Sequence, residues 1–203
     1  MQCIHEIDSN IREIELRKDP VIIQVNDFNE EEANKFRSLV SVAHNTGQKV
    51  IPVIIDSYGG QVYSLMSMIS SIKSSKIPVA TIVIGKAMSC GAILASFGKV
   101  GMRYMDPDAT LMIHDVSSRA FGKVEELKAD ASEADRLNKK VFEMMARNCN
   151  KPDDFFLKKI HDKGHADWFL NAEETHDLGI VDHKKVPEMK IKVSLDIDII
   201  WKE

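Results

Sequence analysis

Ser89, His114 and Asp167 are the side chains in this sequence whose types together could carry out acyl transfer. That chemistry needs a hydroxyl nucleophile, an imidazole base within hydrogen-bond reach, a carboxylate to hold the imidazole, and N–H donors for the tetrahedral oxygen. Ser89 stands in "IGKAMSCGA", between an aliphatic run and a stretch of small residues. His114 closes "LMIH", and Asp167 precedes the aromatic pair of "DWFLNAEE". Two turns, "DSYGGQ" and "KAMSCG", carry small residues where backbone can approach a ligand and aim N–H groups at an oxyanion.

Each residue also has an ordinary structural use. Serine is among the commonest helix N-caps, a lone histidine is more often a surface or cap residue, and an aspartate before an aromatic is more often part of a turn. "AMSCG" has only the second glycine of a G-x-S-x-G elbow, because Ala87 takes the place of the first. The same stretch allows two other nucleophilic arrangements. Cys90 could attack as a thiolate, although nothing nearby in the sequence argues for a depressed thiol pKa. Lys86 could serve Ser89 in a Ser–Lys dyad, although a catalytic lysine must usually be buried to lose its proton.

The elements that would position these residues alternate along the chain. "VIIQV" (21–25), "VIPVIIDS" (50–57) and "PVATIVIG" (78–85) are apolar, β-branched runs and read as strands. Between them, "NEEEANKFRSLVSVAHNTG" reads as a helix with Asn29 as N-cap and Gly47 as terminator, and "QVYSLMSMISSIKSS" as a helix with Val62, Leu65, Met66, Ile69 and Ile72 on one face. "CGAILASFG" predicts a tightly packed helix directly after Ser89. "GMRYM" and "TLMIHDV" predict short strands, and apolar residues three or four apart predict one long amphipathic helix from Val124 to about Cys149. Pro152 opens a further helix, "AEETHDLG" forms another, and "KIKVSLDI" reads as a last strand. No repeat or low-complexity linker interrupts the pattern, so residues 1–203 are expected to form a single α/β domain.

Composition narrows the function classes. The chain is 203 residues long, 44% hydrophobic and 29% charged, as in ordinary soluble globular domains. Its formal charge of −4 comes from interleaved acids and bases, not from a basic stripe, so nucleic acid is a poor partner. The N-terminus lacks the pattern of a signal peptide, and the most apolar window is broken by Gly85, Lys86 and Gly91, so no membrane span is expected. Cys3, Cys90 and Cys149 are widely spread, which suggests neither a disulfide framework nor a zinc site and fits a reducing cytoplasm.

Four segments in order resemble the proteolytic subunit of the Clp protease, the ClpP family within the ClpP/crotonase superfamily. "IDSYGGQV" is similar to that family's "xNSPGGxV", "GKAMSCGAILASFG" to "GxAASMGAxLLxAG", "ATLMIHDV" to "SRxMIHQP", and "DWFLNAEETHDLGIVD" to "DRFMSAxEAxEYGLID". The likeness runs from about Val21 to Asp182, with Tyr58 standing where the motif has proline and Ala166 where it has arginine. On this resemblance Ser89 matches the nucleophile, His114 the general base and Asp167 the triad carboxylate, while Gly60 and Cys90 match the oxyanion-hole backbone donors.

The resemblance also implies an architecture of repeated ββα units with a protruding handle helix, at about residues 123–149. It implies a homo-oligomer of heptameric rings, stacked in pairs around a closed chamber. Unfolded proteins or short peptides would be the substrates of this serine endopeptidase, with an AAA+ Clp unfoldase spending the ATP, and the subunit itself would need no metal or cofactor. Residues 1–20 diverge from the family's axial-loop pattern. Two other readings stay open at this stage: a non-catalytic or mixed-ring structural subunit, and a crotonase-type acyl-CoA enzyme sharing the fold and an oxyanion hole.

Overall fold

A computed structural model describes residues 19–117 and 121–190 of the chain. The divergent N-terminal segment as far as residue 18 and the strand expected in "KIKVSLDI" lie outside the described residues, apart from Lys190 at the boundary.

β1 (Ile23–Val25), β2 (Ile51–Ser57) and β3 (Val79–Met88) pair in parallel. Between them run α1 (Glu30–Ala43) and α2 (Val62–Ser74), which pack against each other. β2 alternates buried and half-buried residues along its length, and the first half of β3 is buried almost continuously. Such a pattern suits a parallel sheet covered by helices. α1 begins as its sequence predicts: the Asn29 side chain accepts from the Glu32 N–H, and three glutamates occupy the positively polarised first turn. It ends at Ala43, before Gly47, because a run of tight turns intervenes and Gly47 takes its left-handed conformation (φ 75°) only after them.

β3 is longer than its sequence suggests. The aliphatic run stops at Gly85, yet the strand continues to Met88, with Gly85 at φ 64° and a register shift opposite Ile55 and Ser57. A left-handed glycine lets the strand absorb an irregularity without terminating. Before it, Thr81–Val83 pair in parallel with β4 (Arg103–Met105); beyond it, Lys86–Met88 pair in parallel with β5 (Thr110–Ile113). The strand thus changes neighbour at the glycine.

α3 (Cys90–Ala95) follows β3 after Ser89 alone and is buried throughout. α4 (Val124–Asn148) is the expected long helix. It has few buried residues in its first half, whereas Leu137, Val141, Phe142, Met145 and Ala146 enter the core. α5 (Phe155–Asp162) starts three residues after Pro152. A short strand that the sequence pattern did not reveal, β6 (Trp168–Leu170), pairs antiparallel with β5, and α6 (Ala172–Asp177) follows. The result is a mixed α/β fold around a six-stranded sheet in the order β1-β2-β3-β5-β6, with β4 branching from β3. Arg103, a buried residue of β4, joins the sheet to the end of α4 through the Asn148 carbonyl and to the C-terminal segment through both oxygens of Asp182 and the Gly179 carbonyl.

Candidate active site

Ser89 joins the end of β3 to α3 in a conformation that L-residues rarely adopt, φ 55° and ψ −118°. These angles match the first central position of a type II′ turn, normally a glycine site, so the serine is held at some strain. The hydroxyl makes no capping hydrogen bond to α3. A Ser cap would have the extended backbone and a side chain turned back to the N2 or N3 amide, and Ser89 has neither.

Two neighbours fix this turn. The Ser89 N–H donates to the Met112 carbonyl of β5 at 2.8 Å, which draws Ser89 alongside the end of the strand that carries His114. From the other side the "YGG" turn presses on it: a Cβ built on Gly59 would stand 2.7 Å from Ser89 Cβ and 3.2 Å from Ser89 Oγ. Gly59 holds φ 103°, so both its backbone angle and its surroundings exclude a side chain. The doubled glycine was the signal for this contact, although sequence alone assigned a role only to Gly60.

Ser89, Cys90, Gly60 and His114 line one small cavity of about 50 Å³. Its remaining walls are mostly apolar, from Val62 and Leu65 of α2, Ile93 of α3, Ile113 of β5, and Val141 and Phe142 of α4. Cys90 is the first residue of α3, so its N–H is one of the donors a helix leaves free at its start. The Gly60 N–H has no acceptor among the described hydrogen bonds; the following amide, of Gln61, donates to the Phe28 carbonyl at 2.7 Å. That bond and the tight packing of Gly60 on Phe28, where a Cβ would meet the Phe28 carbonyl oxygen at 2.5 Å, fix the turn.

His114 is half-buried at the end of β5, and Asp167 is exposed just before β6. The β5–β6 register pairs Leu111 with Leu170, Met112 with Phe169 and Ile113 with Trp168. Carried one step further, that register would set His114 opposite Asp167, although the pairing itself ends at Ile113 and Trp168. Direct neighbours in an antiparallel pair have Cβ atoms about 4.5–5.5 Å apart. Asp167 does not line the Ser89 cavity, and no hydrogen bond among those described joins Ser89 to His114 or His114 to Asp167. The sheet therefore aligns the segments carrying the three residues without closing their side chains into a chain of hydrogen bonds.

A family model described as Clp protease matches residues 8–186 of the 203-residue chain. The chain belongs to the Clp protease family. The α/β fold and the long helix agree with that membership.

The two other nucleophilic arrangements have little support in this Clp protease family member. The Lys86 ammonium donates to Asp56 at 2.6 Å and lies 4.4 Å from the Tyr58 ring centroid. The hydrogen bond to Asp56 raises its pKa, so Lys86 is held protonated when a base would need to be neutral. Burial pushes the Cys90 thiol up to about 11, against weaker lowering by hydrogen bonds from the Gly60 backbone and the Ser89 side chain. A thiol so placed is inert near neutral pH. Among the described residues, no group of three or more His, Cys, Asp or Glu side chains is arranged to hold a metal ion, and no helix is long and apolar enough to cross a membrane.

The sequence pattern gave no hint of a polar cluster beside His114 in this family member. Asp115 accepts from the Asn138 side chain of α4 at 2.7 Å and contacts His165 Nδ1 at 2.5 Å, and Asn138 also accepts the Val116 N–H at 2.9 Å. These residues are far apart in sequence and belong to no compact motif, so only the fold could group them.

Proposed function

We propose that this protein is a serine endopeptidase in which Ser89 is the nucleophile, His114 the general base and Asp167 the carboxylate that orients the imidazole. The observation that carries the proposal is the strained, uncapped Ser89 at the N-terminus of α3, opening into a cavity shared with His114, Gly60 and Cys90. Nothing in helix capping requires a serine in that conformation, whereas a nucleophile on a sharp strand-to-helix turn does.

In the proposed reaction His114 removes the hydroxyl proton as Ser89 Oγ attacks a peptide carbonyl. The tetrahedral oxygen takes hydrogen bonds from the Gly60 and Cys90 N–H groups, each typically worth about 2.7–4 kcal/mol of transition-state stabilisation. His114 then protonates the leaving amine, and water, activated by the same imidazole, releases the acyl group. Asp167 favours the tautomer with a proton on the nitrogen facing it and stabilises the imidazolium. The apolar walls from α2, α3 and α4 suit an apolar substrate side chain. Family membership supports unfolded proteins or peptides as substrates, assembly into heptameric rings that stack around a chamber, a cytoplasmic setting, and an AAA+ Clp unfoldase as partner.

One observation favours a second reading, a structural ClpP-like subunit in a mixed ring. The described hydrogen bonds do not link the three candidate residues. Catalytic hydrogen bonds are often long before substrate binds, so open geometry alone does not remove a candidate. Treating the purified protein with a fluorophosphonate and locating the adduct by mass spectrometry separates the two. The endopeptidase reading expects modification at Ser89 and its loss in Ser89→Ala together with peptide cleavage. Peptide cleavage that persists undiminished in Ser89→Ala would overturn it.

A further inference from the structure

The β5–β6 ladder ends at Ile113 and Trp168, immediately before His114 on one strand and immediately after Asp167 on the other. Beyond that last pair, backbone hydrogen bonds no longer hold the two segments in register. One described hydrogen bond still crosses between them: Asp115 Oδ2 to His165 Nδ1 at 2.5 Å. Asp115 directly follows His114, and His165 lies two positions before Asp167. The contact therefore brackets the candidate base and the candidate carboxylate from the far side.

Asp115 is also anchored from a third element. Its other oxygen accepts from Asn138 Nδ2 at 2.7 Å, while Asn138 Oδ1 accepts the Val116 N–H at 2.9 Å. Asn138 thereby fixes both the side chain and the local backbone of the segment to α4. The turn on the other side carries His165. Gly164 and His165 are successive left-handed residues (φ 67° and 62°), the second of them not a glycine, at the end of α5. The turn is braced within itself by the Gly164 N–H to the His161 carbonyl at 2.9 Å and the His165 N–H to the Ile160 carbonyl at 3.0 Å, and the bond from the His165 ring to a carboxylate already held by Asn138 ties this braced turn to the end of β5. The His165 ring also meets the edge of His161, with centroids 5.1 Å apart.

We propose that Asp115, held between Asn138 and His165, is a positioning residue that clasps the end of β5 to the turn before β6 and so sets the approach of Asp167 to His114. The proposal rests on the endopeptidase reading of Ser89, His114 and Asp167. It assigns Asp115 and His165 no contact with substrate; they act through the alignment of the pair beside them.

The test follows the His114 ring by NMR across a pH titration, in Ser89→Ala protein so that turnover does not interfere. Fluorophosphonate labelling rates are measured in parallel with Ser89 intact. A carboxylate aligned with an imidazole affects its titration, so loss of alignment is read as a change in the His114 midpoint. Asp115→Ala and His165→Ala are each expected to change that midpoint in the same direction as Asp167→Asn does, and to slow labelling by about tenfold or more, as misplacement of a catalytic group does. Adding Asp115→Ala to Asp167→Asn should change neither quantity by more than about twofold, because residues acting through one interaction are not additive. His165→Asn should restore both, since an Asn amide can stand in for the Nδ1 donor and asparagine tolerates positive φ. An unchanged midpoint in both alanine variants, full additivity with Asp167→Asn, or failure of His165→Asn to rescue would each overturn the clasp. The NMR titration reads the clasp even if Ser89 is never labelled. Absence of labelling in the wild-type protein would instead overturn the endopeptidase reading.

Discussion

Gly59 lies against Ser89 so closely that a Cβ on the glycine would stand 2.7 Å from the serine Cβ and 3.0 Å from the Met88 carbonyl oxygen. The "YGG" turn thus serves as the surface on which the Ser89 turn is moulded. Gly60 then continues into the cavity wall.

A methyl group at this position tests that relationship. Gly59→Ala must either displace Ser89 or abandon φ 103°. Backbone conformations of this kind cost about 1–3 kcal/mol for a residue with a side chain. We expect destabilisation of that order in urea titrations and a fall of about tenfold or more in fluorophosphonate labelling of Ser89, since a shift of about 1 Å at a catalytic group can cost 100-fold. Wild-type labelling kinetics in the variant would show that the contact does not position the hydroxyl.

Ser89 itself should be relieved by glycine. Its φ 55°, ψ −118° conformation is one that glycine adopts freely and serine does not. Ser89→Gly is expected to remove all peptidase activity while raising stability by about 1 kcal/mol, the stability–activity exchange seen where strain is stored at a functional turn. Chemical denaturation of wild type, Ser89→Gly and Ser89→Ala gives the comparison. A Ser89→Gly protein less stable than Ser89→Ala would contradict the strain.

Lys86 should be dispensable for chemistry. Its hydrogen bond to Asp56 raises its pKa, so the ammonium stays protonated well into the alkaline range and has no free pair to offer Ser89. Lys86→Met is expected to keep kcat/KM for a short peptide within about threefold of wild type, as for a substitution away from the reacting atoms. A loss of about 1,000-fold would restore the Ser–Lys dyad, since removing a catalytic base has effects of that size.

The two described cysteines predict an alkaline loss of stability. Burial pushes Cys90 up to about 11 and Cys149 up to about 12, whereas an unfolded thiol titrates near 8.5. Between those limits the folded chain binds more protons than the unfolded one, so stability falls as pH rises and is fully present below the unfolded pKa. The slope approaches about 1.4 kcal/mol per pH unit for each thiol. Denaturant midpoints measured from pH 8 to about 11 should decline, and Cys90→Ala should flatten the decline. An equal slope in that variant would place the effect elsewhere.

Helices and their starts were the most legible parts of this chain. Asn29 caps α1 through the Glu32 N–H as its type and spacing indicate, and Asn171 does the same for α6 through Glu174. These signals are local, acting within one turn. β6 escaped notice because a three-residue strand has too little alternation to register, and it exists only because β5 offers an edge. The extension of β3 past Gly85 escaped for a similar reason: its last residues are strand because β5 pairs with them.

The sequence by itself determined the alternation of strands and helices, since short-range periodicity carries that information, while the resemblance of four ordered motifs to a known family supplied the candidate nucleophile, base and carboxylate. The local stretch around Ser89 left open whether it was a cap or a nucleophile, because both uses want a serine at the same place in a strand-to-helix turn, and only the resemblance favoured the nucleophile. The tertiary structure decided against a side-chain cap: Gly59 on one side and the Met112 carbonyl on the other hold Ser89 at a backbone angle where its hydroxyl makes no capping hydrogen bond to α3. The grouping of Asp115, Asn138 and His165 was likewise settled only by tertiary structure. Contacts among a strand end, a helix and a turn so distant in sequence arise from packing, which no local pattern encodes.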